Sequence, residues 1–464
     1  MTLAALEAEA RRQLALFNYP SRDWVMHRRV GDAVVPDVVI VGAGQNGIAA
    51  AVALMREKIR SFVLLDQAEA GREGPWVTYA RMRTLRTIKE LTGPDAGLPA
   101  LSFPDWFIAQ WGADAWRDLV RIPKRMWMDY LDWLRRYLAI PVENDARVVD
   151  IAPDGNLVAA TTADGRRFLG RRLVLATGID GFGEKRVPPE VARLPRRLWA
   201  HSADDIDFAP LAGRRVGVLG AGASAFDNAA TALEGGTAAV DLHVRRPAIP
   251  GVNSLRWMEF AGLMRNFAEL SDLHRWRFMR RVFDLPVPPP AHSIERCTRH
   301  PNFTIRLASP WLDAAPSGNG VRVRTPAGDH DYDFLIAATG FSVDLDRRPE
   351  LARIVAAAAR WSDRFRPPPG EEQPVIGAHP YIGRRFEFVP RRPADAWVAR
   401  IHAYGVAAVP SVGPVCAGIN GMPYGVQRLA QGIGRSLFLE DADRYLAAFL
   451  AFEDQELKQP PVTG

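Results

Sequence analysis

Cysteine is almost absent from this chain. Of 464 residues only Cys297 and Cys416 are cysteines. They form no CxxC pair, no metal-ligand spacing and no disulfide framework. That excludes a zinc ribbon and a dithiol redox centre, and a reducing cytoplasm is the expected compartment. Long apolar runs are also missing, which excludes a membrane-spanning helix. The opening MTLAALEAEARRQLALF carries acids early and charges throughout. It lacks the basic start and apolar core of a signal peptide, and is expected to be a short amphipathic helix lying on the body of the protein. Nor is there a strong charge of one sign. The formal net charge of +6 is spread over the whole length, with no basic tail. Nucleic acid is therefore not an expected partner, while anionic small molecules are mildly favoured. Hydrophobic content of 48% and charged content of 24% are those of a globular chain. Its length allows two or three domains.

What is present is a long unit used twice: apolar strand, glycine turn, alanine-rich helix, second apolar strand. It begins at Asp37 (DVVIVGAGQNGIAAAVAL, then SFVLLD) and again at Arg214 (RRVGVLGAGASAFDNAA, then AVDLHV). This is the βαβ pattern of a parallel sheet with helices packed on it. Two buried strands ending in Ala-Thr-Gly also match each other, RRLVLATGIDGFG (171–183) and YDFLIAATGFSVDL (332–345). Each follows a stretch read as hairpin strands, with Asp-Gly turns in the first. The expected fold class is α/β, with two dinucleotide-binding Rossmann-like domains. Residues 1–195 and 335–464 form the first, and residues 196–334 form the second, inserted within it. At 256–283, Trp257, Phe260, Met264 and Phe267 fall at helical spacing. They predict a core-facing helix or, alternatively, a Trp- and Met-rich wall of a substrate pocket.

In the first turn Gly42 permits the tight bend, Gly44 lets a pyrophosphate approach the backbone, and Gly47 lets helix and strand pack closely. The following helix points free N–H groups and a positive dipole end at the phosphates. Asp66 closes the next strand, where a carboxylate accepts hydrogen bonds from ribose hydroxyls. In the second turn Gly220 and Gly222 are kept but Ala225 takes the third position. Arg245 and Arg246 stand where the first unit has Asp66. An acid repels a 2′-phosphate, whereas a guanidinium grips it with two hydrogen bonds. The second site is therefore expected to prefer NADPH, and the first suits FAD or NAD. Hydride then passes from nicotinamide to flavin.

The ordered set GAGQNG, Asp66, LATG, GAGASA, Arg245-Arg246 and AATGF resembles the class B flavoprotein monooxygenases. That group comprises flavin-containing monooxygenases, Baeyer–Villiger monooxygenases and N-hydroxylases. The similarity runs from about Asp37 to Asp344. It implies an FAD site at Gly42, Gly44, Gln45, Asn46, Gly47, Asp66 and Gln67, with Trp76 of Gly-Pro-Trp near the flavin and Val148 touching adenine. It implies interdomain turns at Gly178 and Gly340, the latter followed by Phe341. Gly220, Gly222, Ala223, Ser224, Ala225, Arg245 and Arg246 would form the NADPH site. In the family NADPH reduces FAD and O2 adds at flavin C4a. The resulting (hydro)peroxyflavin gives one oxygen atom to a small organic substrate.

Two departures stand out. In the family fingerprint FxGxxxH, His201 is kept but Pro195 and Arg197 replace Phe and Gly. In RTLRTIKELTG, Lys89-Glu90 match the flavin-containing monooxygenases while Arg86 replaces their Asn. Arg86, Lys89 and His201 are thus the candidate catalytic residues, with no metal. His201 has a second reading as a linker histidine that orients the chain. Arg296 or Arg299 is a further candidate for an arginine near the flavin, and Gly418 and Gly421 are candidates for close backbone approach to its ring. Expected partners are a small-molecule substrate and O2, and a homodimer is left open. A flavin reductase passing electrons to another acceptor, or an NADPH-binding sensor, are the competing readings.

Overall fold

A computed structural model describes residues 2–91 and 93–456 of the chain. Two five-stranded parallel sheets organise it. The first has the spatial order Ile401–Ala403, Arg172–Leu175, Val38–Val41, Phe62–Leu65, Val142–Glu143. The second runs Trp199–His201, Phe334–Ala337, Arg215–Leu219, Ala239–His243, Phe303–Arg306. Short runs of Val, Ile and Leu without polar alternation suit strands covered on both faces. Val38, Val39 and Ile40 are fully buried, as are Val216, Val218 and Val240. The strand Phe334–Ala337 belongs to the second sheet, and the chain leaves it through Gly340.

The two sheets are built alike down to single hydrogen bonds. In the first, Gly42 N–H donates to Leu65 and Ala176 N–H to Val41; in the second, Gly220 N–H donates to His243 and Ala338 N–H to Leu219. A Cβ on Gly42 would stand 2.4 Å from the Ala176 carbonyl oxygen, and one on Gly220 would stand 2.4 Å from that of Ala338. Each Ala-Thr-Gly strand therefore ends against the first glycine of its nucleotide turn. Only glycine leaves room there, which ties the two repeated motifs together sterically.

At the glycine of each Ala-Thr-Gly the chain turns with positive φ, 74° at Gly178 and 79° at Gly340. The segments that follow, Gly183–Lys185 and Phe341–Val343, pair antiparallel and bridge the two sheets. Three-stranded antiparallel units flank each half: Val148–Asp154, Leu157–Thr162 and Arg167–Gly170 in one, Asp313–Ser317, Gly320–Thr325 and Gly328–Tyr332 in the other. The first helix, Leu3–Leu16, buries Leu6 and Ala10 against the main core.

The stretch expected as one helix at 256–283 is instead broken into Ser254–Trp257, Ala261–Asn266, a 3-10 turn Phe267–Glu269 and Asp272–Asp284. Phe260 adopts an extended backbone that separates the first two pieces. Ser271 caps the last by accepting from the His274 N–H, a stop-and-start that outweighs apolar spacing. Met264 and Phe267 are buried, while Trp257 and Phe260 are exposed. These pieces pack with Trp361, Ile376 and Val412 in the core of the first sheet's half.

Candidate active site

A cleft of about 500 Å³ opens at the carboxyl end of the first sheet, the usual ligand position in a doubly wound fold. The sequence-predicted Gly42, Gly44, Gln45, Asn46, Asp66, Gln67, Trp76, Val148 and Gly178 all line it. The helix Gln45–Arg56 starts at Gly44 with no side-chain cap and no acid in its first turn. Its first N–H groups are thus left for a ligand, and the dipole favours an anion.

The cleft passes three steric and polar tests for FAD. A Cβ on Gly47 would stand 1.9 Å from the Gly42 carbonyl oxygen, so Gly47 is fixed by helix-to-turn packing. A Cβ on Gly44 would meet nothing nearer than the Gly74 Cα at 3.6 Å. Two glycine backbones thus lie close together with no side chain on either, which leaves the Gly44 backbone open to the approach of a pyrophosphate. The Trp76 indole N–H is buried without a partner, a donor that ligand oxygen or nitrogen would satisfy.

Asp66 is held rigidly. One carboxylate oxygen accepts from Ala43 N–H at 2.7 Å and the other from Ala68 N–H at 2.8 Å. Burial lifts its carboxyl above the ordinary carboxylate range, and those two N–H donors oppose the lift. Each oxygen keeps a further lone pair for ribose hydroxyls. Gln45 accepts from the Trp127 indole at 3.3 Å, and Asn46 donates to the Cys416 carbonyl at 3.3 Å. Asn46 thereby ties the C-terminal glycine loop to the turn, placing Cys416 and Ala417 in the cleft wall. Of the two glycines singled out in that loop, Gly421 packs against protein, with a built Cβ 2.4 Å from the Val415 Cα. Gly418 faces open space.

The second turn repeats the open helix start. Gly222 precedes the helix Ala223–Glu234 with no side-chain cap and no acid in the first turn, and a Cβ on Gly222 would touch nothing within 4 Å. Ala225 is fully buried, and the Ser224 carbonyl accepts from Asn228. Arg245 and Arg246 are exposed just past the strand Ala239–His243, free to meet a phosphate. The residues present fit NADPH there.

The three candidate catalytic residues lie outside the cleft lining. His201 is 1% exposed. Its Nδ1 accepts from Ala203 N–H at 3.1 Å, so in the neutral ring Nε2 donates to the Gly340 carbonyl, also at 3.1 Å. Burial lowers its pKa and keeps it neutral. Phe341 packs edge-on against it at 5.6 Å. His201 thus pins the linker strand to the interdomain turn. The Lys89 ammonium donates to the carbonyls of Trp116 at 2.7 Å and Arg117 at 3.0 Å, at the end of the helix Phe103–Asp118. Arg86 pairs with Asp227 at 3.0 Å. Arg296, the other arginine considered, pairs with Glu234 at 2.9 Å and Asp227 at 3.4 Å.

Sequence reading missed the wall opposite the turn, where Tyr79, Asp180, Arg348, Glu350 and Leu351 line the cleft. Arg348 donates to Glu350 at 2.8 Å. No local pattern marks these residues, except that Asp180 follows Ala-Thr-Gly.

Comparison with known proteins agrees with this geometry. An FAD-NAD(P)-binding family model matches residues 39–180, and the L-lysine 6-monooxygenase/L-ornithine 5-monooxygenase model matches residues 116–255. A FAD-dependent urate hydroxylase from Xanthomonas campestris pv. campestris is 43% identical over 460 residues, covering 98% of this chain and 97% of that protein. Two solved structures share the fold at low identity. The ornithine hydroxylase of Pseudomonas aeruginosa has a TM-score of 0.66 at 17% identity, over 87% of this chain and 100% of that one. The Kutzneria ornithine N-hydroxylase with reduced FAD, NADP+ and L-ornithine has a TM-score of 0.67 at 18% identity, over 87% and 99%. Twin nucleotide turns, a cleft built for FAD and near-full-length identity to a flavin hydroxylase converge: the chain belongs to the class B flavoprotein monooxygenases, the family of FAD- and NADPH-dependent enzymes that insert one atom of O2 into a small organic substrate.

Proposed function

We propose that the substrate is urate. The observation that carries this is the 43% identity to a urate hydroxylase along nearly the whole of both chains, against 17–18% for the ornithine hydroxylases. Urate is a planar anion near neutral pH. At the seam between the two halves Arg81, Arg86, Arg121, Lys124 and Arg296 outnumber the acids that pair with some of them, Asp205, Asp227 and Glu234, and this surplus of positive charge suits such an anion. The His292 Nε2 and the Thr87 hydroxyl at this seam are buried without partners, polar atoms that a hydrogen-bonding purine would satisfy.

In this reading FAD would be held by Gly42, Gly44, Gly47, Asp66 and Val148, and the unpartnered Trp76 indole N–H would donate to it. The flavin, once reduced, supplies the oxygen-activating chemistry. NADPH would be held by Gly220, Gly222, Ser224 and Ala225, and Arg245 and Arg246 would bind its 2′-phosphate. Two electrons come from NADPH, one oxygen atom enters the substrate and the other leaves as water. Both cysteines are buried and unpaired, which suits work in the cytoplasm.

The test is NADPH oxidation with urate, ornithine or lysine, each corrected for hydrogen peroxide release. Urate alone is expected to raise peroxide-free NADPH consumption. Stimulation by ornithine or lysine and not urate would assign the enzyme to amine hydroxylation. Equal peroxide for every NADPH consumed would make it an oxidase.

A further inference from the structure

Ion pairs cross the seam between the two nucleotide halves at several places, among them Arg72–Asp205, Lys185–Asp204 and a cluster on the helix Ala223–Glu234. The segment 74–79 lines the flavin cleft, and the chain directly after it leaves that wall and crosses to the NADPH half. There Arg86 meets Asp227 at 3.0 Å and Arg83 meets Glu234 at 3.0 Å, while Arg296 reaches back to the Arg81 carbonyl at 3.4 Å. Asp227 and Glu234 both sit on Ala223–Glu234, the helix whose start forms the NADPH turn.

Asp227 is a buried carboxylate, 2% exposed. Its Oδ1 accepts from the Ser293 hydroxyl at 2.7 Å and Arg296 at 3.4 Å; its Oδ2 is taken by Arg86. Arg86 is the partner on Oδ2, so its loss leaves that oxygen of a buried carboxylate without its cation, which is costly. Arg86 itself is 41% exposed at the side chain, so removing it opens no hole in the core.

We infer that the Arg86–Asp227 pair is a clasp that sets the helix of the NADPH turn against the segment that follows the flavin cleft wall, with Arg86 a positioning residue for hydride transfer. The pair joins the chain that follows the cleft wall 74–79 to the helix that follows the NADPH turn, so its loss would shift the two binding elements relative to each other. Hydride transfer falls steeply with misplacement, roughly tenfold to a hundredfold for an ångström-scale error. The inference holds whatever the organic substrate is, because it concerns only the reductive half of the cycle.

The experiment compares R86M, D227N, the double variant and R86K as FAD-loaded enzymes. Anaerobic flavin reduction by NADPH is followed by stopped flow, NADP+ affinity by titration, and amide hydrogen exchange over residues 81–90 without added nucleotide. Reduction is expected to slow about tenfold or more in both single variants. The double variant should be no slower than the worse single one, the mark of a shared contact. NADP+ affinity should stay within about threefold, R86K should recover most of the rate, and exchange over 81–90 should rise in R86M. A D227N protein with normal reduction beside a slow R86M would overturn the clasp, since Arg86 would then act directly on the reacting groups. So would multiplicative losses in the double variant. If D227N does not fold, R83M, which cuts the neighbouring Arg83–Glu234 pair at an exposed position, carries the same test: unaltered reduction and exchange in R83M and R86M overturn the proposal.

Discussion

A Cβ placed on Gly47 would stand 1.9 Å from the Gly42 carbonyl oxygen, whereas Ala225, the residue at the same step of the second turn, carries its Cβ fully buried without displacing Gly220. The real Ala225 methyl lies 3.1 Å from where a Cβ on Gly220 would be. The two turns thus differ in how closely helix and strand approach. The sequence difference between them follows from that spacing.

Gly47→Ala is therefore expected to abolish FAD retention, since backbone rather than a flexible side chain must move. Ala225→Gly should leave NADPH binding intact and cost about 1 kcal/mol of stability, the usual penalty of glycine in a helix. Flavin content after gel filtration and denaturant midpoints check both. Gly47→Ala protein that keeps full flavin would refute the packing argument.

Arg245 and Arg246 stand exposed at the mouth of the second turn, so their removal should act on specificity rather than folding. The double alanine variant is expected to lower the NADPH over NADH preference in kcat/KM by roughly tenfold to a hundredfold, the value of losing one or two charge-assisted hydrogen bonds. NADH kinetics should barely change. An unaltered preference would move the 2′-phosphate elsewhere.

Burial pushes His243, His379 and His402 down to about 4. Unfolded histidine titrates near 6.5. As pH falls through 6.5 the unfolded chain takes up protons that the folded chain refuses, so stability drops with falling pH. Between pH 7 and 5 each of these residues should cost about 2 kcal/mol. Asp37, raised to about 6 by burial, works the other way and returns roughly 1 kcal/mol over that interval. Urea unfolding at pH 7 and pH 5 should show a net loss of stability, and a flat or rising profile would contradict it.

Both turns, both acid-or-arginine strand ends and both hairpin units were legible in the sequence because each is local: glycine spacing and apolar strands fix them within about thirty residues. The far cleft wall at Arg348–Leu351 was not, because the chain brings it back only after the whole inserted half has folded. The destination of Arg86 was equally hidden, since Asp227 lies 141 positions away. His201 was legible by motif but its role was not, for its two ring partners are backbone groups, one of them Gly340 of the interdomain turn. The stretch 254–284 misled because apolar spacing says nothing of the caps that cut it.

The most direct test of the whole account is oxygen isotope transfer. The enzyme is given 18O2, NADPH and urate, and the product is analysed by mass spectrometry alongside NADPH consumption. One 18O atom per hydroxylated urate and one NADPH per product are expected. Unlabelled urate with stoichiometric hydrogen peroxide, or product oxygen drawn from water, would contradict it.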